Sequence, residues 1–300
     1  MAYIDNRGNK GAYTQSYYDQ YESTISNGEA RIPICICVDT SSSMNFLNNN
    51  SSDYEKTGNY ANKDGSKVQL VNMKPGCKPI RKMDRLHDVL RTMITRMQAN
   101  DIISRAAVIC IISFDQFADC FMEFTDVTRI RPDIIKTLET GEDITNSSKG
   151  IKMALGRLDQ LMSINSDAGN DRYAPILIFM SDGIPTDGDE ANKARNQVRT
   201  RADRGELNVV PISICGTSEG DKWLRSFSSE SRVYHMNNEQ EFNDVFNGIT
   251  ERIKLTTLAI CADEDSSVQT IGADSNGTSF GTDLSTSLSD FLSGDLFDIS

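Results

Sequence analysis

Short, almost wholly apolar runs recur along the chain, separated by stretches with a helical period. Ile32–Val38, Ala106–Ser113, Ile176–Met180 and Val209–Cys215 are the runs, each closed by turn residues. Such runs predict strands buried on both faces. Between them, Met83, Leu86, Leu90, Met93, Ile94 and Met97 fall on one face of a helix that ends near Asn100. Ile151, Ala154, Leu155, Leu158, Leu161 and Met162 mark a second helix, with Thr145 or Asn146 as its N-cap. Glu190–Arg204 reads as a charged helix that Gly205 can close. Short helices are expected over Asp133–Leu138 and Lys222–Phe227. A closing helix, Glu239–Lys254, has Phe242, Val245, Phe246, Ile249 and Ile253 on one face. Phe117–Phe124 reads as an antiparallel edge strand and Arg232–Met236 as a last short strand.

Buried strands alternating with helices predict an α/β fold: a doubly wound, mostly parallel sheet with helices on both faces, over residues 31–257. Three segments fall outside that pattern. Residues 1–30 are polar, carry tyrosines at 3, 13, 17, 18 and 21, and read as a flexible arm. Residues 45–78 form a polar insert without enough apolar residues for a core of its own, a loop of functional or disordered type. Residues 258–300 read as an acidic, Ser/Thr-rich disordered tail. Leu284, Leu288, Phe291, Leu292, Leu296 and Phe297 near its end could fold as an amphipathic helix on a partner.

Charge removes some functions from consideration. The net charge of −12 gives nucleic-acid binding no electrostatic support. Eight acidic and no basic residues lie between Ala262 and Ser300, so the rest of the chain carries only −4. No segment is long enough to span a membrane. The N-terminus lacks the apolar core of a signal peptide. The seven cysteines include Cys35, Cys37, Cys110 and Cys215 within predicted strands, where cysteine packs as a small hydrophobe. Neither Cys-x-x-Cys nor a Cys/His cluster occurs, which argues against zinc. Buried free thiols point to a reducing, cytoplasmic compartment.

Asp39-Thr40-Ser41-Ser42-Ser43 follows the first strand. One carboxylate and two hydroxyls on a tight loop suit a hard cation such as Mg²⁺. The same pentapeptide is also an ordinary turn, where Asp and Ser bond backbone groups. Two further loops change the balance. Asp182 follows another strand and Thr145 starts a helix on the same side. In open α/β sheets, loops beyond the strands' C-terminal ends converge on ligands.

With Asp39-x-Ser41-x-Ser43, Thr145 and Asp182-Gly183 in these places, the chain resembles the von Willebrand factor A (vWA) domain over about 225 residues. IPICICVDTSSSM, VICIISFDQFAD and PILIFMSDGIPTD are most similar to the intracellular bacterial TerY-type tellurium-resistance subgroup. The resemblance implies a metal-ion-dependent adhesion site of Asp39, Ser41, Ser43, Thr145 and Asp182. Ser41 and Ser43 would bind Mg²⁺ directly, with Mn²⁺ or Ca²⁺ as alternatives. Thr145 would bind directly or through water, and Asp39 and Asp182 largely through water. An open position would take an Asp or Glu from a partner protein. It further implies a stress or metal-resistance setting with kinase- or phosphatase-like partners. Many vWA domains have Gly where Ser42 stands, and residues 45–78 exceed the usual length.

A metal-dependent hydrolase or phosphatase is the alternative. It lacks an evident general base, since the only histidines are His87, on a helix, and His235, near the last strand. No Gly-x-Ser-x-Gly elbow and no P-loop occurs. Asp115, Asp143 and Asp187 lie near the relevant loops and read as turn or capping residues.

Overall fold

The computed structural model describes residues 3–4, 10–11, 31–48, 51–63, 66–141, 144–167, 174–214, 217–235, 243 and 246–247. All lie in one compact unit, Met1–Ile260; Cys261–Ser300 forms a second unit. The expected tail and most of the closing helix therefore fall outside the described residues. So does the expected arm, apart from an antiparallel pairing of Tyr3–Ile4 with Lys10–Gly11.

In chain order the elements are β1 (Ile32–Asp39), β2 (Tyr54–Lys63), β3 (Ser66–Met73), α1 (Lys82–Ala99), α2 (Asp101–Ala106), β4 (Ala107–Phe114) and β5 (Ala118–Asp126). There follow α3 (Ser147–Asp167), β6 (Ile176–Ser181), α4 (Gly188–Asp203), β7 (Asn208–Ser213), α5 (Ser218–Arg225) and β8 (Tyr234–His235). Six strands form the main sheet, in the order β8-β7-β6-β1-β4-β5. All neighbours pair in parallel except β4 with β5. This is the doubly wound α/β architecture that the apolar runs predict, with its antiparallel edge strand.

Period-two alternation divides the strand side chains between two cores. Ile32, Ile34, Ile36 and Val38 of β1 pack with Ile109 and Ile111 and with the α1 stripe Met83, Leu86, Leu90, Met93 and Met97. Cys35 and Cys37 face the other way, with Cys110, Ile112, Phe179 and the α3 residues Ile151, Ala154, Leu155 and Leu158. Burial on both faces explains why these strands read as unbroken apolar runs. Gly150 of α3 is required by closeness: a Cβ there would lie 2.7 Å from the Phe114 ring.

Several expectations shift. The 45–78 insert contains an antiparallel hairpin, β2 with β3, registered Tyr54↔Met73 through Lys63↔Ser66. Strand-forming Tyr54, Thr57, Tyr60, Leu70 and Val71 suffice for a two-stranded ribbon, because its backbone bonds do not require a full core. The register slips between Lys56 and Tyr60, where Gly58 takes a φ of +74°, the left-handed conformation that suits a bulge. The insert's ends are fastened together: the Asn48 N–H donates to Ile80 O (2.7 Å) and the Lys82 N–H to Phe46 O (3.0 Å). Helix α5 starts four residues before the expected Lys222, because the Thr217 hydroxyl caps it by accepting from Gly220 N–H (3.1 Å). Gly205 closes α4 at a φ of +73°, as expected.

Candidate metal centre

Strand β1 lies between β4 and β6, and the chain's order reverses across the β1–β6 pair. A crevice opens at such a reversal beyond the C-terminal strand ends. Asp39 ends β1, and Ser181-Asp182 stands at the end of β6. The fold thus brings two carboxylates together that are 143 positions apart in sequence.

The Asp39 loop is held from both sides. Thr40 donates its backbone N–H (2.8 Å) and its hydroxyl (3.1 Å) to Phe114 O of β4. Its own carbonyl accepts from Gly141 N–H (2.7 Å). A 3₁₀ turn, Ser42–Asn45, follows, anchored by the buried Met44. Within this loop the Ser41 N–H donates to Asp39 Oδ1 (2.9 Å). The Ser41 and Ser43 hydroxyls lie 3.1 Å apart, and Ser43 Oγ donates to Asp182 Oδ1 (2.9 Å). Asp39 Oδ2 accepts from Ser181 Oγ (2.7 Å). Asp39, Ser41, Ser43 and Asp182 are therefore one hydrogen-bonded network, and Asp39, Ser41 and Asp182 are buried.

Thr145 is tied by its backbone to Thr186, four residues beyond Asp182, and not by a hydrogen bond to the network itself. Its N–H donates to Thr186 Oγ1 (3.1 Å), and its carbonyl accepts from the Thr186 N–H (3.0 Å) and hydroxyl (3.1 Å). Asn146 is the N-cap of α3, with Oδ1 accepting from Lys149 N–H (3.3 Å). Asp187 reaches across from the Asp182 loop and accepts from the Ser147 (3.2 Å) and Ser148 (2.8 Å) N–H groups. The turn residue expected at Asp187 is thus a second cap that clamps α3 to the Asp182 loop. Asp115 is the expected turn residue, its Oδ1 accepting from Phe117 N–H (2.7 Å). Asp143 lies outside the described residues.

Lys82, at the start of α1, enters the network unforeseen. Its Nζ lies 2.6 Å from Asp182 Oδ2, with the two side chains 15% and 3% exposed. The Asp39 carboxyl is pushed up to about 7, first by burial and then by the Asp182 charge; hydrogen bonds from Ser41 and Ser181 oppose the shift. One carboxylate of the centre thus lies on a lysine, and the charged form of the other is disfavoured by burial and by its neighbour, an environment that added positive charge would relieve. The centre's donors are all oxygen, the chemistry of a hard divalent cation. The Lys82 ammonium is a monovalent stand-in for such a cation. The residues therefore fit a divalent metal, on condition that Lys82 yields Asp182.

Ser181 and Lys82 bond the network directly, Thr186 and Asp187 hold the Thr145 loop beside it, and none of the four is in the motif. Ser181 had a readable signal, a polar residue next to Asp182 at the end of an apolar run. Lys82 had none, being one cation among several at the end of a polar insert.

No family model and no curated protein matches the chain. Solved structures do match. A mutant of the PilB minor pilin from Streptococcus sanguinis is 12% identical with a TM-score of 0.51, over 77% of this chain and 64% of that one. Proximal thread matrix protein 1 from the mussel byssus, in its second crystal form, is 14% identical with a TM-score of 0.48, over 75% and 48%. The same protein with a zinc-occupied MIDAS motif is 15% identical with a TM-score of 0.44, over 75% and 48%. The chain thus spans less than two thirds of the length of each. At such identities the likeness to the pilin concerns the fold alone.

Proposed function

We propose that the chain is a metal-dependent protein-interaction module of the vWA type. Asp39, Ser41, Ser43, Thr145 and Asp182 would hold Mg²⁺, which, when bound, offers its remaining charge to an Asp or Glu of a partner protein. The observation that carries this reading is the convergence of buried Asp39, Ser41 and Asp182 with half-buried Ser43 in one hydrogen-bonded network at the sheet's reversal point.

The chain's own groups have distinct tasks in this reading. Ser181 and the Ser41 N–H orient the Asp39 carboxylate, as outer-shell donors do for metal ligands. Thr186 and Asp187 keep the Thr145 loop against the Asp182 loop. Lys82 neutralises Asp182 until a divalent ion takes its place. The setting that goes with the resemblance is cytoplasmic, in a stress or metal-resistance system, with kinase- or phosphatase-like partners.

Neither histidine, the general base that hydrolases use most often, belongs to the network. His87 lies with Nε2 2.8 Å from Leu138 O, and His235 stands 3.7 Å from Asp221. Purified protein is accordingly expected not to hydrolyse phosphate esters. Calorimetric titration with Mg²⁺ and Mn²⁺ tests the site: the wild type binds, and Asp39→Ala with Ser41→Ala does not. Equal binding by the double variant removes the site. Affinity capture with wild type and Asp39→Ala, in Mg²⁺ and in chelator, then tests the partner role; capture insensitive to both removes it.

A further inference from the structure

A second cluster of ligand-bearing side chains lies on the β4–β5 pair, away from the loops just described. Cys110 Sγ, Cys120 Sγ and a Glu123 carboxylate oxygen all lie within 4.8 Å of one another. Regular alternation would not make this cluster. Cys120 and Glu123 are three positions apart on one strand, an odd spacing that sends side chains to opposite faces. The ladder is irregular here. Ile112 pairs with Cys120 but Ile111 with Met122, and Ile109 with Thr125, so β5 carries extra residues opposite Cys110. Bulges of this kind re-aim side chains. They turn Cys120 and Glu123 toward the face that Cys110 already occupies, the face covered by α3.

The chemistry of the cluster is incomplete as it stands. Glu123 Oε1 is paired with Arg157 Nη2 of α3 (2.8 Å), the two side chains being 16% and 15% exposed. Glu123 Oε2 is buried and has no hydrogen-bond partner. A buried carboxylate oxygen without a donor is costly and calls for an explanation. The two sulfurs lie 3.9 Å apart. Two sulfurs on one tetrahedral zinc, each at about 2.3 Å, are separated by about 3.8 Å. A disulfide would instead require them to close to about 2.0 Å.

We propose that Cys110, Cys120 and Glu123 form a binding site for a thiophilic divalent cation of the Zn²⁺ class. The two sulfurs and Glu123 Oε2 are its protein ligands, and Arg157 fixes the carboxylate from outside. A tetrahedral ion would need one more ligand, and the partial exposure of Cys120 and Glu123 would let water supply it. Ion uptake displaces the two thiol protons to solvent, and neither sulfur changes oxidation state. The sequence concealed the site because its ligands come from two strands and rely on bulges, not on a Cys-x-x-Cys spacing. It shares no residue with the Asp39 centre.

Cobalt is the probe, since it substitutes for zinc and reports thiolate ligation by a charge-transfer band. The full chain is titrated with Co²⁺ under a non-thiol reductant. The band is expected in the wild type and in the Asp39→Ala, Ser41→Ala double variant, lost in Cys120→Ser, and reversed by added Zn²⁺. Glu123→Gln retains both sulfurs, is nearly isosteric, and is expected to weaken Co²⁺ binding; it decides the matter if Cys120→Ser fails to fold. The proposal is overturned if the wild type shows no band or if the band survives in Cys120→Ser. It is overturned equally if Glu123→Gln binds as tightly as the wild type, or if Co²⁺ exposure yields only a chain two mass units lighter, the signature of a disulfide.

Discussion

The two candidate cation centres are built from opposite materials. The Asp39 centre is made of oxygens on loops at the C-terminal edge of the sheet. The Cys110 centre is made largely of sulfur, on paired strands within the sheet. Both arise where regular strand geometry gives way, one at the strand ends and one at bulges. The first already contains a positive charge, Lys82, directly on one of its carboxylates. In the second, the cation Arg157 holds the outer oxygen of Glu123 and leaves the inner one free of hydrogen bonds. Loops can adjust when an ion arrives, whereas strands held in a ladder must offer their ligands nearly in place. On the two proposals, the chain separates an adjustable hard site from a preset soft one.

The strongest way to break this contrast is to remove the internal cation of the first centre. Lys82→Ala leaves Asp182 beside Asp39 with no counter-charge. Metal-free protein is expected to lose on the order of 3 kcal/mol, measured by urea unfolding, and to gain Mg²⁺ affinity by calorimetry. Unchanged Mg²⁺ affinity would mean that Lys82 does not compete with the ion. Ser181→Ala comes next: it takes the donor from Asp39 Oδ2, at a cost of about 1–3 kcal/mol, and should leave cobalt uptake at the thiol centre untouched.

A pH series sharpens the contrast further. Folded Asp39 holds its proton up to about 7, against 3.8 for an ordinary aspartate. Between those values the native state binds a proton that the unfolded chain releases, so unfolding free energy falls as pH rises. The stabilisation is whole below the unfolded value and gone above about 7. Metal-free urea midpoints should therefore decline across that window, and saturating Mg²⁺ should flatten the decline. The smallest effect is expected from replacing residues 50–78 with a short turn. The ends are already tied by the Asn48–Ile80 and Phe46–Lys82 bonds, so stability should change by about 1 kcal/mol or less, with Mg²⁺ binding retained.

Much of this was legible in the sequence, and the reasons are particular. Strands β1, β4 and β6 are apolar on both faces because both are covered, and their shortness and flanking turn residues separate them from buried helices. Asp39, Ser41, Ser43 and Asp182 were legible as a cluster because they sit at fixed offsets from those strands, so locating the strands locates the network. Hairpin β2–β3 was missed although Asp64-Gly65, a favoured two-residue turn signal, stands between its strands. Polarity of the whole segment outweighed that local cue. Lys82 was illegible for a different reason: its role rests on a salt bridge spanning 100 positions. Cys120 and Glu123 were illegible because bulges reverse the facing that alternation predicts.

The floor beneath the Asp39 centre has a practical consequence. Phe114, Phe179 and Phe227 form an aromatic chain, and Trp223 of α5 meets both Phe179 (5.8 Å) and Phe227 (4.9 Å) edge-on. It is the only tryptophan of the chain. Three residues earlier, Gly220 sits so near the Asp182 loop that a Cβ would lie 3.1 Å from Gly183 backbone atoms. Any shift of Gly183 is therefore felt by the helix that carries the indole. If an ion shifts that loop, the change should be readable in the ultraviolet emission of Trp223 without a label.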